Sequence, residues 1–472
     1  MSRRIFSILI LLISLSINCQ VLFPSNQTTP KIIRSPAISS VVSRKTSILP
    51  SSSTPTETLA LSSSIVAFTE VPTSTQTPTS TPTIRPTSSP VHLQVFEELW
   101  TADNQNYLYQ DFNGLDWDEI QKEYRNIINS GLTVDEFYML LKELVIRLGD
   151  DHSAYFDPVE VSNVDAETNG DYKFIGIGIL ETIVEGKNYL TVVLTFPGSP
   201  AEKAGLKAHD NILEIISMPI VENGDIRFDL IRSTAGSPID IIVQSPSEEP
   251  RNLRWVREEI SGNFPVPHSS LVSPLWKQFG YILLASFRDS NVDENVGEIL
   301  EEFGANEPIE GLIIDNRFNR GGGSDVLINL ISYFIDGNAG FFVHREQDHQ
   351  LMIEGKDING SQSIPLVILI GPDTASFGDI FSGILSDHNR AHLIGLQTEG
   401  NLEVLHIYDF SDGSRAWIAR ESFRPVLNPE QESEKNGIIP HQILSSNWDE
   451  FTFENKPVIQ STIQHLDENL EY

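Results

Sequence analysis

Apolar residues follow three kinds of pattern along this chain, and each predicts a different kind of element. The stretches VFEELWTADNQNYLYQ from Val95 and TVDEFYMLLKELVIRLG from Thr133 space apolar residues at three and four, the mark of amphipathic helices. The second carries Phe137, Leu140, Leu141, Leu144 and Val145 and ends at Gly149, just before Asp150-Asp151-His152-Ser153-Ala154-Tyr155-Phe156. From about 170 to 255, short β-type runs (FIGIGIL, YLTVVLTF, DIIVQ) alternate with turn residues and predict a small β domain. Beyond about 260 come continuous apolar strands: YILLASF (281–287), GLIIDNR (311–317) and PLVILIG (365–371). The last two lead into helices, one carrying Val326, Leu327, Leu330, Ile331 and Phe334, the other Phe377, Ile380, Phe381, Ile384 and Leu385. Strands without polar alternation, interleaved with helices, predict a largely buried α/β sheet. The closing KPVIQSTIQHL reads as an amphipathic helix packed on that core.

The first ninety residues lack such periodicity. Arg3 and Arg4 precede an apolar run from Ile5 to Ile17, a positive n-region and short h-region that read as a secretory signal over residues 1–19. Cys19, the only cysteine of the chain, follows directly and fits a lipoprotein signal in which its thiol carries the lipid anchor. Ser16-Ile17-Asn18 lacks the small residue expected before such a cysteine, so ordinary cleavage nearby is the alternative. Residues 20–92 are rich in Ser, Thr and Pro and read as a disordered stalk holding the folded part away from a surface. The remaining divisions are a helical N-terminal region (93–168), the β domain (169–256) and the α/β core (257–472).

The formal net charge is −33. Such a surface repels phosphate backbones and argues against a nucleic-acid partner. Gly321-Gly322-Gly323 has no following Lys-Ser/Thr, so a nucleotide-binding loop is not supported. His388 and His392 lack an HExxH pattern and read as surface positions near a helix end; no metal and no cofactor is implied. Ser376 is more informative, because it stands where a buried strand turns into a helix. There a hydroxyl lies beside free N–H groups of the first helical turn, including that of Phe377, which suit an oxyanion. A helix-capping serine is the competing local reading.

The order of motifs decides between these. LGDDHSAYF, GSPAEKAGL, YILLASF, GLIIDNRFNRGGG, PLVILIGPDTASFGDIFSGILSDHNRAHLIG and NGIIP together resemble the carboxyl-terminal-processing (tail-specific) serine peptidases over roughly residues 95–472. The resemblance implies an α/β multidomain protein with a helical N-terminal region, a PDZ-like β domain and a catalytic core related to crotonase and Clp proteases. Ser376 then matches the nucleophile, Phe377 one oxyanion donor, and Gly321 and Gly322 the second donor region. In the PDZ-like domain the loop at Ile175, Gly176 and Ile177 would take a peptide carboxylate, with His209 standing where such domains have glycine. The implied partners are polypeptides with free C-termini.

One departure matters. The family lysine that activates the serine is Asn401 here, its supporting glutamine is Leu405, and neither side chain takes a proton near neutral pH. Two readings follow. The chain resembles the tricorn-type branch, with His152 as base and Glu434 orienting it, although Asp151 or Glu421 are alternative partners. Otherwise the protein is an inactive relative that binds peptides or apolar ligands, as the interphotoreceptor retinoid-binding modules do. Gly378 in place of the motif's second serine, and Phe318 in place of a glycine, favour that alternative.

Overall fold

Pro90 opens the first helix at N1, where its missing N–H costs nothing, so folded structure starts inside the stretch read as stalk. The computed structural model describes residues 89–469 except 151, 169–172, 185, 223–224, 232–233, 262–263, 306–307, 431–432 and 454. The expected signal, Cys19 and nearly all of the expected stalk lie outside the described residues. Helices α1 (Pro90–Asn106), α2 (Trp117–Asn129) and α3 (Val134–Ile146) form the N-terminal region. Helix α3 begins at Thr133 with a capping box closed by Glu136. Helix α2 was not anticipated: its buried stripe is only Trp117, Ile120, Tyr124 and Ile128 among charged positions.

After α3 the chain forms the short strand β1 (Ala154–Phe156) and a helix over Pro158–Thr168, then enters the β domain. The run FIGIGIL is two strands rather than one, β2 (Lys173–Gly176) and β3 (Ile179–Thr182). They are followed by β4 (Leu190–Thr195), β5 (Asn211–Ile215), β6 (Pro238–Gln244), β7 (Arg251–Val256) and β8 (Glu258–Ser261). The order β7-β6-β5-β4-β3 is antiparallel throughout, while β2 pairs with β8. Strand β3 therefore lies at an edge.

The core supplies β9 (His268–Val272), β10 (Gln278–Leu283), α4 (Val292–Ala305), β11 (Gly311–Asp315) and α5 (Ser324–Ser332). Then come β12 (Gly337–His344), β13 (Asp348–Ile353), β14 (Leu366–Ile370), α6 (Phe377–Asp387) and β15 (His392–Gly395). The chain closes with β16 (Val404–Asp409), β17 (Arg415–Arg424), β18 (Gln442–Ile443) and α7 (Pro457–Asn469). The main sheet runs β9-β10-β11-β14-β15-β18, antiparallel at its first pair and parallel afterwards. On one face Leu312, Ile314, Ile368 and Ile370 pack under α4, α5 and α6; on the other Ile313, Val367 and Leu369 meet Val458, Ile459 and Leu466 of α7. Burial on both faces explains why these strands read as unbroken apolar runs. Val193, Leu194 and Phe196, from and just after β4, join the second face and dock the β domain on the core.

A second sheet, β1-β17-β12-β13 with β16 on β17, was not foreseen from sequence. Ala416, Ile418 and Ala419 of β17 close the apolar cluster of α1, α2 and α3. This sheet links the N-terminal helices to the main sheet and carries one half of the site.

Candidate active site

Ser376 lies in the turn between β14 and α6 with φ 54° and ψ −129°, a conformation that an L-residue with a side chain adopts only under strain. Its hydroxyl makes no capping bond to the helix, which removes the capping role weighed above. The turn is over-determined from below. Thr374 Oγ1 donates to the carbonyl of Asn316 (2.9 Å) and accepts the N–H of Gly371 (3.1 Å). The N–H of Ala375 donates to the carbonyl of Asn319 (3.0 Å).

Gly378 has its own reason to lack a side chain: an added Cβ would sit 2.1 Å from the carbonyl oxygen of Asn319. The missing motif serine is thus a close backbone approach in this chain, and by itself it says nothing about activity. Asn316 Nδ2 then donates to the Gly378 carbonyl (2.8 Å), and Asn319 Nδ2 to Asn316 Oδ1 (2.8 Å), stitching the two loops together.

The glycine-rich turn lies directly over the serine. A Cβ on Gly321 would come within 2.8 Å of the Phe377 nitrogen and 3.2 Å of Ser376 Oγ. Of the expected donors, Gly321 gives its N–H to Asn319 Oδ1 (2.9 Å). That leaves the N–H groups of Phe377 and Gly322 without an acceptor among the described residues. Gly322 is pinned by a bridge to Phe287, whose N–H donates to Gly321 and whose carbonyl accepts from Gly323.

His152 is set by its own sequence. Asp150 accepts the backbone N–H groups of His152 (2.8 Å) and Ser153 (2.6 Å), and Ser153 Oγ in turn accepts the N–H of Ala419 on β17 (2.9 Å). The imidazole Nδ1 lies 3.6 Å from Glu403 Oε2, with the side chains 15% and 2% exposed respectively. Glu403 was missed in the sequence. Its other oxygen accepts the Tyr109 hydroxyl (2.9 Å).

Glu434, expected beside His152, instead meets Glu403. Burial first, and then hydrogen bonding and like charge from Glu403, push its proton affinity well above the usual carboxylate range. Its Oε2 accepts the Leu402 N–H (2.7 Å). Glu421 is engaged elsewhere, 3.1 Å from His406 Nε2, and Asp151 lies outside the described residues.

A short strap joins the two halves. The Gly400 carbonyl accepts the N–H of Ser376 (3.4 Å), the Gly400 N–H donates to Asp379 Oδ2 (3.1 Å), and Glu403 faces His152 three residues on. Three residues of extended chain span at most about 10 Å. The Ser376 hydroxyl and the His152 imidazole form no hydrogen bond with one another. Asn401 sits on the strap with φ 66°, its N–H bonded to the Glu434 carbonyl (3.2 Å), and Leu405 packs among apolar residues of the second sheet. No polar group replaces the family's lysine and glutamine at those two positions beyond the Asn401 amide.

The other expected positions fall as follows. Ile175 and Gly176 end β2, whereas the Ile177 side chain is buried in the β-domain core, which leaves only its backbone for the expected role. The N–H groups of Ile177 and Gly178 meet no acceptor among the described residues. From there β3 leads toward the serine: Thr182 Oγ1 donates to Asp373 Oδ2 (2.5 Å), and Asp373 also pairs with Arg320. His392 is half-buried in β15 and stacked between His441 and His465 rather than lying at the surface. Among the described residues no His, Cys, Asp or Glu cluster has the geometry of a metal site.

Residues 278–444 match the sequence profile of Peptidase family S41, and residues 92–145 match that of the Tricorn protease C1 domain. A carboxyl-terminal-processing protease of Synechocystis sp. is 28% identical over 357 residues, which cover 73% of this chain and 79% of the relative. Carboxyl-terminal-processing peptidase 2, chloroplastic, of Arabidopsis thaliana is 28% identical over 370 residues, 75% of this chain and 69% of the relative. A photosystem II D1 C-terminal processing protease of known structure superposes with a TM-score of 0.55 at 24% identity, over 75% of this chain and 93% of that one. At that identity the likeness is one of fold.

Proposed function

This chain carries a Peptidase family S41 domain and belongs to the carboxyl-terminal-processing serine peptidases, and from that premise we propose that it is an exported enzyme cutting unfolded or C-terminally tagged polypeptides through Ser376. The observation that carries the proposal is the strained, unbonded hydroxyl of Ser376 under the turn at Gly321, with the N–H groups of Phe377 and Gly322 left without acceptors among the described residues. Ser376 Oγ attacks the scissile carbonyl, His152 takes its proton, and the two N–H groups receive the developing oxyanion. The acyl-enzyme is then released by water, with His152 returning the proton first to the leaving amine.

The β domain acts as a PDZ-like tail receptor in this proposal. The carboxylate end is held at Ile175–Ile177, the tail pairs with the open edge of β3, and Thr182 leads it past Asp373 to the serine. Binding both ends of the path converts a bimolecular attack into a local one. Substrate binding also has to draw Ser376 and His152 together, since such hydrogen bonds are commonly loose in substrate-free enzymes. Export through residues 1–19, and a lipid on Cys19, belong to the same proposal and rest on the sequence alone.

The gap between Ser376 and His152 favours one competing reading, a tail-binding protein without activity. The test is an unfolded reporter with a labelled C-terminal tail. Cleavage by the native chain and its loss in Ser376→Ala, with tail binding kept, supports the peptidase. Tail binding without cleavage in both supports the binding protein.

A further inference from the structure

His152 Nδ1 and Glu403 Oε2 face each other across 3.6 Å, and each is buried without any other hydrogen-bond partner among the described residues. A buried polar atom left unpaired is costly, and closing this gap by a few tenths of an ångström satisfies both at once. Glu403 is not free to turn away, because Tyr109 holds its second oxygen. Glu434 meets it as well, itself held through the Leu402 N–H.

Two carboxyl groups in contact do not both ionise near neutral pH. Burial raises the proton affinity of Glu403, but the His152 imidazole and then the Glu434 carboxyl beside it outweigh burial and the net direction is down; that of Glu434 goes up. Asp379, itself shifted toward its protonated form by burial, lies on the Glu434 side, and Tyr107, Tyr109 and His152 also face the pair. Glu403 is the member of the pair that faces His152 Nδ1 and accepts the Tyr109 hydroxyl, so it is placed as the acceptor and the shared proton falls to Glu434.

We infer that Glu403 is the positioning carboxylate for His152, and that Glu434 acts through Glu403, as a hydrogen-bond donor to it. The assignment rests on the Ser376–His152 reading above for its purpose, but the geometry stands apart from it. It explains how the chain manages without the family's lysine and glutamine. The base comes from the DDHS turn, and its orienting carboxylate comes from the strap two residues beyond Asn401. It also makes an unusual demand of residue 434. A glutamine there is the isostere of a protonated carboxyl: its amide donates to Glu403, and its oxygen accepts from Leu402.

The experiment reads the His152 ring directly, in full-length Ser376→Ala labelled with 15N, by two-bond imidazole correlations. His406, paired with Glu421, serves as the internal control for an intact fold. The expected result is a single Nδ1–H tautomer for His152 that persists in Glu434→Gln, while Glu403→Leu gives a mixture of tautomers with the His406 signals unchanged.

Cleavage of the tailed reporter by the same substitutions on the Ser376 background then reads the consequence. Glu403→Leu loses roughly 100-fold or more in kcat with little change in KM, and Glu434→Gln regains most of the kcat that Glu434→Leu loses. The inference is overturned if Glu434→Gln scrambles the His152 tautomer, or if Glu403→Leu leaves it fixed. A protein that cleaves nothing fails the proposed function, while the tautomer result still decides the role of Glu403.

Discussion

His209 stacks on Trp448 with ring centroids 4.1 Å apart, and its Nδ1–H donates to the carbonyl of that same residue at 2.8 Å. His209 has φ 76°, the glycine conformation, which is why a glycine is the usual occupant of this turn. In this chain the ring buys a contact between the β domain and the core. Phe318, the other bulky residue where a glycine was expected, meets the same indole edge-on at 4.8 Å. Lys456 Nζ lies 3.3 Å above it, and Trp448 Nε1 donates to the Val192 carbonyl (2.9 Å). A departure in a turn of the β domain and one that favoured an inactive relative therefore converge on one interdomain contact. Phe318 stands three residues before Gly321, so this contact is also continuous with the turn over Ser376.

Trp448→Ala should cost about 3–5 kcal/mol, the usual range for emptying a buried aromatic site. The loss should be local in character. Hydrogen exchange should quicken first across Tyr189–Asn211, which hangs on Trp448 and Asp449 through the bonds of Val192, His209, Asn211 and Tyr189. Uniform loss of protection, including β11 and β14, would contradict the idea of an interdomain tie.

Lys456 has its proton affinity lowered to about 6, chiefly by burial and then by Arg317. An unfolded lysine titrates near 10.4, so between about 6 and 10.4 the unfolded chain holds the extra proton. Stability therefore rises with pH across that window, by at most about 1.4 kcal/mol per pH unit, and the cation–π contact with Trp448 offsets part of it. His209, lowered to about 3 by burial and then Lys456, adds a slope of the same sign in the acid range. Lys456→Met should flatten the rise between pH 6 and 9 and stabilise the protein at pH 7 by roughly 1–3 kcal/mol. Chemical denaturation at several pH values checks this, and parallel curves for parent and variant would refute it.

What sequence reasoning recovered follows from what is local. The place of Ser376 at a strand-to-helix turn was legible because an apolar strand, a small-residue turn and an apolar helix sit side by side in the chain, and only the order of motifs set it apart from a helix cap. The main sheet was legible because burial on both faces removes polar residues from β11 and β14. Glu403 was not, because nothing local marks it. It reaches His152 only through the second sheet, whose strands β1 and β17 pair across some 260 residues of sequence. Helix α2 was hidden by the opposite problem, a thin apolar stripe in a charged segment. His209 and Phe318 were noticed as departures, but their common partner Trp448 is far away in sequence, and their purpose is a tertiary fact.

Gly378→Ser restores the residue the family motif has at this position, and it should harm this protein. The new Cβ would have to move the Asn319 carbonyl, which also accepts from Ala375 and closes the loop under Ser376. Overpacking of this kind costs typically 1–3 kcal/mol. Activity should fall by more than stability explains, because the displaced loop carries Gly321 and Gly322. A variant with unchanged melting temperature and cleavage rate would show that the loop has more room than the distance of 2.1 Å implies.

Ser376→Gly and Ser376→Ala both remove the hydroxyl, yet they should part company in stability. Alanine keeps a Cβ in a backbone conformation with φ 54° and ψ −129°, and so keeps the strain, which is of order 1–3 kcal/mol for such positions. Glycine releases it, at a cost of about 0.4–1 kcal/mol in greater freedom of the unfolded chain. The balance leaves Ser376→Gly more stable than Ser376→Ala by about 1 kcal/mol, a difference that paired thermal or urea melts resolve. Both variants should be inactive against the tailed reporter. If alanine proves the more stable of the two, the turn is not held under strain, and the preorganisation of the hydroxyl toward the Phe377 and Gly322 N–H groups has to come from packing alone.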